Sequence, residues 1–142
     1  MMISTKGRYA LRVLIDLAEH QNGEFIPMKD VASRQDISLK YLEKIMPVLN
    51  KNNVVEAIHG KGGGYRLTRS PDEYKVGDIL RMTEGELVPV ACLDPDAPPC
   101  GRAAECKTLP MWQRFSEITN EYFDGITIAD LMENNSADNY VI

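Results

Sequence analysis

The sequence predicts a mainly α-helical protein with one small β-hairpin, and three observations support this fold class. Apolar residues recur at spacings of three and four in several segments of the 142-residue chain, which is the pattern of amphipathic helices. A glycine-rich segment separates two short stretches of alternating polarity, which predicts a hairpin. Apolar residues make up 44% and charged residues 26% of the chain, so it can bury a sizeable core as one domain.

The N-terminal third of the chain predicts three helices. The first begins near Thr5 and ends before Asn22-Gly23, and an apolar stripe predicts its buried face. The stripe consists of Ala10, Leu11, Val13, Leu14, Leu17 and Ala18. A second, short helix covers Met28 to Arg34.

The third helix begins after Ser38, a good N-cap residue, and ends at Asn52-Asn53, which can adopt the left-handed conformation. Pro47 lies inside the pattern and is expected to bend or shorten the last turn. The spacing predicts an apolar inner face and a charged outer face. The outer face carries Lys40, Glu43, Lys44 and Lys51, and the inner face carries Tyr41, Leu42, Ile45, Met46 and Leu49.

Two predicted strands follow the third helix. They cover residues 54–58 and 65–68, and Gly60 to Gly64 form the tip between them. Two short helices, a longer helix and a glycine-rich hairpin in this order indicate a winged helix-turn-helix.

The second half of the chain predicts helices on either side of an irregular loop. A short helix at residues 76–82 precedes the loop, and a helix from Met111 to Phe123, ended by Gly125, follows it. Residues 127–132 predict a last short helix with a Thr cap, and residues 134–142 a loose tail. We therefore expect a DNA-binding domain at 1–84, a cysteine-bearing loop at 85–107, and a long helix with a tail at 108–142.

The two halves of the chain carry opposite charge. Residues 1–70 hold 11 basic and 7 acidic side chains, whereas residues 71–142 hold 5 basic and 14 acidic ones. This asymmetry indicates a basic binding half joined to an acidic half with another role, although ordinary surface variation is the alternative. No apolar run approaches the ~20 residues of a membrane span. The odd cysteine count and the lack of a secretory signal lead us to expect a cytoplasmic protein with reduced thiols.

The basic half has the side chains that duplex DNA binding requires. A winged helix places its third helix in the major groove, and its wing reaches a neighbouring groove. Lys40, Lys44 and Arg8 can neutralise phosphates, which positions a protein without reading sequence. Glu43 can read a base because a carboxylate accepts from the cytosine amino group, but it can equally pair with a lysine of its own helix. In the wing, the basic residues His59, Lys61 and Arg66 flank glycines that allow the backbone to approach a phosphate closely. The alternative is that the glycines form only a flexible hairpin tip.

The three cysteines all lie in the irregular loop. Cys92, Cys100 and Cys106 are spaced C-x7-C-x5-C, which fits poorly with the paired C-x2-C ligands of structural zinc sites. Thiolates gathered on one loop suit an iron–sulfur cluster, since soft sulfur ligands hold iron there. Ordinary reduced thiols or a redox pair remain the alternative.

Several short motifs recur in an order that is specific as a set. They are Lys6-Gly7-Arg8-Tyr9-Ala10, Ile37-Ser38, Tyr41-Leu42-Glu43, Gly60, Gly63-Gly64-Tyr65, Gly77-Asp78-Ile79, Glu84-Gly85 and then the three Cys. With these motifs the sequence resembles the Rrf2 family of bacterial winged-helix regulators, the group of IscR, NsrR and CymR. The likeness covers residues 2 to 132.

The resemblance implies a homodimeric transcription regulator that binds double-stranded DNA at a palindromic operator. The long helix, at about 109–124, would cross its twin in the dimer. The three cysteines match the cluster ligands of the iron–sulfur members, and Glu43 falls on a position used to discriminate DNA sites. His59 stands where relatives commonly carry an Arg in the wing. The implied DNA-contacting set is Arg8, Ser38, Lys40, Tyr41, Glu43, Lys44, His59, Lys61 and Gly63.

The chain departs from the family pattern at the cluster site. Iron–sulfur members usually space the first two cysteines more closely, and the cluster regulator supplies a His three residues after the last Cys, where this chain has Leu109. Nitric-oxide-sensing members use an acidic residue near the start of the first helix, where this chain has Arg8. The fourth ligand therefore stays open. The candidates are Asp94, Asp96, Glu105, His20, water or a small thiol.

The expected function is transcription regulation controlled by an iron–sulfur cluster, either [2Fe–2S] or [4Fe–4S]. A cluster-free thiol switch or cysteine-metabolism repressor is the nearest alternative, and a small electron-transfer protein is an alternative of another class. We do not expect an enzyme, since no nucleophile with a base and no phosphate-binding loop is found.

Overall fold

The computed structural model of the protein describes residues 2–133. It confirms the mainly α-helical fold class with a single hairpin among these residues. The helices are α1 (Thr5–Glu19), α2 (Met28–Gln35), α3 (Leu39–Lys51), α4 (Val76–Glu84), α5 (Leu109–Asp124) and α6 (Ile128–Glu133). The strands are β1 (Val55–Ile58) and β2 (Gly64–Leu67), and short 3-10 turns cover Pro71–Glu73 and Ala91–Leu93. The predicted tail at residues 134–142 lies outside the described residues.

The helix α1 lies at the centre of the hydrophobic core. Its apolar stripe is buried as the spacing predicted, and it packs against α2, α3, α4 and α6. The core also receives Leu42, Ile45 and Leu49 from α3 and Ile128 from α6, all fully buried. Burial of each such side chain stabilises the fold by roughly 1.5–3 kcal/mol relative to exposure.

The Ser38 cap forms as the sequence indicated, and α3 reaches its predicted end without being shortened at Pro47. Asp36 ends α2 in the left-handed conformation with φ of 53°, and the Ser38 Oγ accepts a hydrogen bond from the Tyr41 amide at 3.1 Å. Pro47 does not end α3, which continues to Lys51. Because Pro47 is on the exposed face, water can bind the carbonyl that loses its helical partner. Asn53 then takes the predicted left-handed conformation, with φ of 59°.

A buried ion pair joins α1 to α2, and periodicity gave no sign of it. The side chain of Asp16 is fully buried and accepts from Arg34 Nη2 at 2.7 Å and from Gln35 Nε2 at 2.9 Å. The hydrogen bonds that Arg34 donates to Asp16 raise the pKa of Arg34 above its ordinary value. A buried carboxylate needs such partners, because burying an unpaired charge is strongly unfavourable. The pair therefore sets the position of α2 against α1.

The wing is a two-stranded antiparallel sheet tied to the α1–α2 connection. Its register runs from Val55 opposite Leu67 to Ile58 opposite Gly64. Ile26 forms an extra bridge with Tyr65, with hydrogen bonds of 2.8 and 2.9 Å. Only glycine fits at position 64, because a Cβ there would overlap the carbonyl oxygen of Ile26. The wing is thus held at a fixed place beside α1.

The last helix returns to the N-terminal core. Thr127 caps it as predicted: its Oγ1 accepts from the Asp130 amide at 3.1 Å, and its own amide donates to Asp130 Oδ2 at 2.9 Å. The Ile128 amide donates to the Tyr74 carbonyl at 3.0 Å. The loop between α4 and α5 is irregular as expected, except for the short turn Ala91–Leu93. Within residues 2–133, no helix is long and apolar enough to cross a membrane.

Candidate functional site

The exposed face of α3 carries the charged residues that the sequence pointed to. Lys40, Glu43 and Lys44 are all exposed, while the opposite face is buried in the core. Within the described part of the chain, no ion pair joins Glu43 to either lysine. The Glu43 carboxylate can therefore face a groove without first breaking a contact inside its own helix.

An aromatic cluster lies where α1 meets α3. The Tyr41 ring is half-buried and packs edge-on against Tyr9, with centroids 5.5 Å apart. The Arg12 guanidinium lies 5.0 Å from the centroid of Tyr9 and donates to the backbone carbonyl of Gln35. The Arg12 side chain is therefore occupied by contacts with other residues of the protein. Tyr41 remains partly accessible, and Ser38, whose hydroxyl oxygen accepts from the Tyr41 amide, is exposed.

The N-terminus of α1 is capped by a carboxylate from α4. Glu84 Oε1 accepts hydrogen bonds from the Ser4 amide at 3.0 Å, the Ser4 hydroxyl at 2.6 Å and the Gly7 amide at 3.0 Å. A negative charge is favourable at the positive end of a helix dipole. A side chain at position 7 would displace this carboxylate from its present place, because a Cβ there would overlap Glu84 Oε1. Arg8 lies exposed in the same turn, with its guanidinium 3.1 Å from Thr5 Oγ1.

The Glu84 contact connects the start of α1 to the end of α4, where the cysteine-bearing loop begins. Glu84 is the last residue of α4, and Gly85 begins the cysteine-bearing loop. The start of the loop is therefore one residue away from a contact with the helix that carries Arg8. The motif Glu84-Gly85 marked the position in the sequence, but only the fold reveals what the carboxylate contacts.

The tip of the wing is basic and open, whereas its base is occupied by an internal ion pair. His59 and Lys61 are exposed at the tip, and Gly63 is half-buried. Arg66 instead pairs with Glu56 at 2.5 Å and donates to the Gly23 carbonyl at 3.0 Å. Arg66 therefore holds the base of the wing and is less available to a phosphate than the sequence suggested.

The three cysteines line one cavity of about 130 Å³ between the loop and α5. The other lining residues are Leu93, Ala103, Leu109 and Gln113. All three thiols are free. Among residues 2–133, no three or more Cys, His, Asp or Glu side chains stand close enough to hold a metal ion in the present arrangement. A cluster would therefore require the loop to close around it, and the three cysteines that line the cavity would supply soft sulfur ligands.

The thiol of Cys106 is distinguished from the other two by its neighbour. Its Sγ lies 3.5 Å from Thr108 Oγ1, just before α5 begins. Hydrogen bonds from the side chain and backbone of Thr108 lower the pKa of Cys106. The thiolate is the form that ligates metal and attacks electrophiles. At a given pH, Cys106 is therefore more often in this reactive form than a cysteine with an ordinary pKa.

The side chains suggested by the sequence as a fourth ligand lie elsewhere. Asp94, Asp96, Glu105 and His20 are not among the residues that line the cavity in the described structure. Asp94 Oδ1 accepts from the Asp96 amide at 2.9 Å. His20 Nδ1 lies 2.9 Å from the Asp16 carbonyl oxygen at the C-terminal end of α1.

The helix α5 is fixed at its C-terminal end and exposed along one face. Asp124 Oδ1 and Oδ2 each accept from Arg81 of α4 at 2.9 Å. Asn120 Nδ2 donates to the Leu87 carbonyl at 3.0 Å, which ties α5 to the start of the cysteine-bearing loop. Four large apolar residues remain about half-exposed or more on one stripe of α5. They are Met111, Phe115, Ile118 and Tyr122.

Comparison with known proteins identifies a matching family and relatives that are transcriptional regulators. Residues 3–134 match the family described as "Rrf2: Iron-dependent Transcriptional regulator". The chain is 37% identical to the protein rrf2 of Nitratidesulfovibrio vulgaris, over 96% of this chain and 90% of that protein. It is 34% identical to the HTH-type transcriptional regulator IscR of Aliivibrio salmonicida, over 95% of this chain and 79% of that protein.

Two solved structures share the fold over nearly the whole chain. CymR, the global cysteine regulator of B. subtilis, superposes with a TM-score of 0.76 at 34% identity, covering 96% of this chain and 99% of that one. IscR of T. potens superposes with a TM-score of 0.75 at 32% identity, covering 100% of this chain and 93% of that one. These relatives are transcriptional regulators, not enzymes.

We expect Glu84→Ala to destabilise the protein by about 1–2 kcal/mol, because the N-terminus of α1 loses the carboxylate that accepts three of its hydrogen bonds. Urea unfolding followed by circular dichroism measures the change. Glu86→Ala is the matched control, since Glu86 is exposed two residues further on and should change stability little. Equal effects of the two substitutions would contradict the capping role.

We expect Thr108→Val to raise the pKa of Cys106, because the thiolate loses the hydrogen bond from the Thr108 hydroxyl. At a pH below that pKa the variant then holds less thiolate, and its Cys106 reacts more slowly. Iodoacetamide labelling of metal-free protein across a pH series, read by peptide mass spectrometry, gives the midpoint. Cys100 in the same samples is the internal control. An unshifted Cys106 midpoint would show that Thr108 has no such effect.

Proposed function

Since this chain belongs to the Rrf2 family of transcriptional regulators, we propose that an iron–sulfur cluster held by Cys92, Cys100 and Cys106 controls its binding to DNA. The observation that carries the proposal is the shared cavity: three thiols from separate parts of an irregular loop line one space. Thiolates are the ordinary ligands of such clusters. The lowered pKa of Cys106 favours the ligating form of that residue.

The DNA-binding surface in this proposal consists of the exposed face of α3, the start of α1 and the tip of the wing. Lys40, Lys44 and Arg8 neutralise phosphates and position the protein. Glu43 reads a base edge from the major groove. The wing and the N-terminus of α3 complete the surface. They contribute His59, Lys61, Gly63, Ser38 and Tyr41.

We further propose a homodimer that forms through α5. Met111, Phe115, Ile118 and Tyr122 follow one another at intervals of four, three and four residues, the spacing at which two helices pack side by side. They are 49–64% exposed, and such a contiguous apolar stripe marks an interaction surface. Two copies joined along this stripe present two α3 helices, which suits a palindromic operator.

In this proposal, a change in the loop reaches the DNA-binding surface from both ends of the loop. At the beginning of the loop, Glu84 caps the helix that bears Arg8. At the end of the loop, Cys106 lies three residues before the start of α5, the helix that carries the proposed dimer interface. A bound cluster supplies redox and ligand-exchange chemistry that responds to oxygen, nitric oxide or iron supply. Closure of the loop need only change DNA affinity by about 1–3 kcal/mol to act as a switch.

A cluster-free thiol switch is the second candidate function. The observation in its favour is the combination of a lowered Cys106 pKa with two further free thiols at the same cavity. Oxidation of the thiols would then replace cluster loss as the signal.

Purification of the wild-type protein without oxygen tests the cluster directly. We expect coloured protein with bound iron and sulfide, and a colourless triple variant Cys92→Ser, Cys100→Ser, Cys106→Ser. Asp96→Asn is the matched control in the same loop and should keep the colour. Colourless, iron-free wild-type protein after reconstitution, with DNA binding that responds to thiol oxidation, would support the second candidate instead.

We expect DNA affinity to fall steeply with salt. If the dimer neutralises about six phosphates, the logarithm of affinity falls with the logarithm of salt concentration with a slope of about −5. Fluorescence anisotropy with an operator duplex gives the slope. Lys44→Ala should make it shallower by roughly 2, since a dimer loses two phosphate contacts. Lys75→Ala, outside α3 and the wing, should leave it unchanged, and a wild-type slope near zero would refute the electrostatic surface.

We expect Phe115→Lys to convert the dimer into a monomer, because two lysines would face each other in an apolar interface. Sedimentation velocity measures the oligomeric state. Glu121→Lys is the control, since it places a lysine at an exposed position of the same helix outside the apolar stripe. A variant at position 115 that sediments as the wild type would contradict dimerisation through this stripe.

A further inference from the structure

The cavity lined by the three cysteines contains one further polar side chain. Of its other lining residues, Leu93, Ala103 and Leu109 offer no donor atom, and Gln113 offers an amide oxygen and nitrogen. An iron site with three thiolates has room for another donor, and Gln113 is the polar side chain, other than the cysteines, that lines the same cavity.

The geometry of α5 explains how Gln113 reaches this wall. Leu109 begins α5, and Gln113 follows four residues later, so the two lie on one face of the helix one turn apart. Leu109 occupies the place where a histidine is expected from the family resemblance, and it cannot ligate. Gln113 is the next residue along that face. Its side chain is exposed, so it can turn toward the cavity at little conformational cost.

We propose that the side-chain amide oxygen of Gln113 is the fourth protein ligand of the cluster. This inference rests on the proposed function, because it requires that Cys92, Cys100 and Cys106 hold the cluster. Amide oxygen is a ligand of harder metal ions and carries no charge. It therefore binds iron less firmly than thiolate or imidazole does.

A weak fourth ligand has a consequence for sensing. A small anion or nitric oxide could take the place of the amide by ligand exchange, in which the amide oxygen would leave the iron and no iron–thiolate bond would break. Gln113 would then mark the position in the cavity at which such a ligand enters. No electron or proton needs to be transferred in this step.

Substitutions at position 113 test the inference by spectroscopy. Protein with its cluster reconstituted without oxygen is compared as wild type, Gln113→Ala, Gln113→His and Arg114→Ala. Arg114 is the matched control, because it is exposed on the same helix and does not line the cavity. Circular dichroism and iron content establish that each variant is folded and loaded. The readouts are the electron paramagnetic resonance spectrum of the reduced cluster and the rate of iron release to a chelator.

We expect Gln113→Ala to shift the resonance spectrum and to release iron at least about tenfold faster. Gln113→His should release iron more slowly than wild type and show a strong nitrogen coupling in pulsed measurements. Arg114→Ala should match the wild type in both. A loaded Gln113→Ala protein with the wild-type spectrum and release rate would overturn the Gln113 assignment while leaving the cysteine-held cluster intact. Wild-type protein that takes up no cluster would overturn both.

Discussion

The contact between Glu84 and the start of α1 is the constraint on which the account of this protein depends. One carboxylate oxygen accepts hydrogen bonds from the Ser4 amide, the Ser4 hydroxyl and the Gly7 amide. The next residue, Gly85, begins the cysteine-bearing loop. In the proposed mechanism, a change in the loop acts on the capped end of α1, where Arg8 lies, through this contact and not through the hydrophobic core.

The opposite end of α1 is held by a second carboxylate. Asp16 is buried and accepts from Arg34 and Gln35 of α2, so the helix-turn-helix keeps its position relative to α1. The wing is tied to the same core through the bridge between Ile26 and Tyr65. Specific polar contacts fix both ends of α1, so the proposed mechanism requires a displacement at Glu84 to move α1 together with the helix-turn-helix and the wing.

Features that depend on neighbours in sequence were predictable, and features that depend on distant partners were not. Helical spacing identified the core face of α1, and local chemistry identified the Ser38 cap and the left-handed Asn53. The partner of Asp16 could not be found, because Arg34 is 18 residues away and belongs to a different helix. The sequence placed Arg66 among the basic residues of the wing. It could not show that Arg66 pairs with Glu56, because that pairing depends on the register of the two strands. Gln113 became visible only when the fold brought α5 against the cysteine-bearing loop. The DNA-contacting set and the three-part domain division remain predictions.

The most direct test of the central claim is the DNA affinity of one preparation with and without its cluster. Protein purified without oxygen is divided, one half is stripped of iron by a chelator, and both halves are titrated against the same operator duplex at the same salt concentration. The account predicts affinities that differ by a factor of about 5–150 between the two forms, and no difference for the triple cysteine variant given the same treatment. Equal affinities of the loaded and stripped wild-type protein would contradict it.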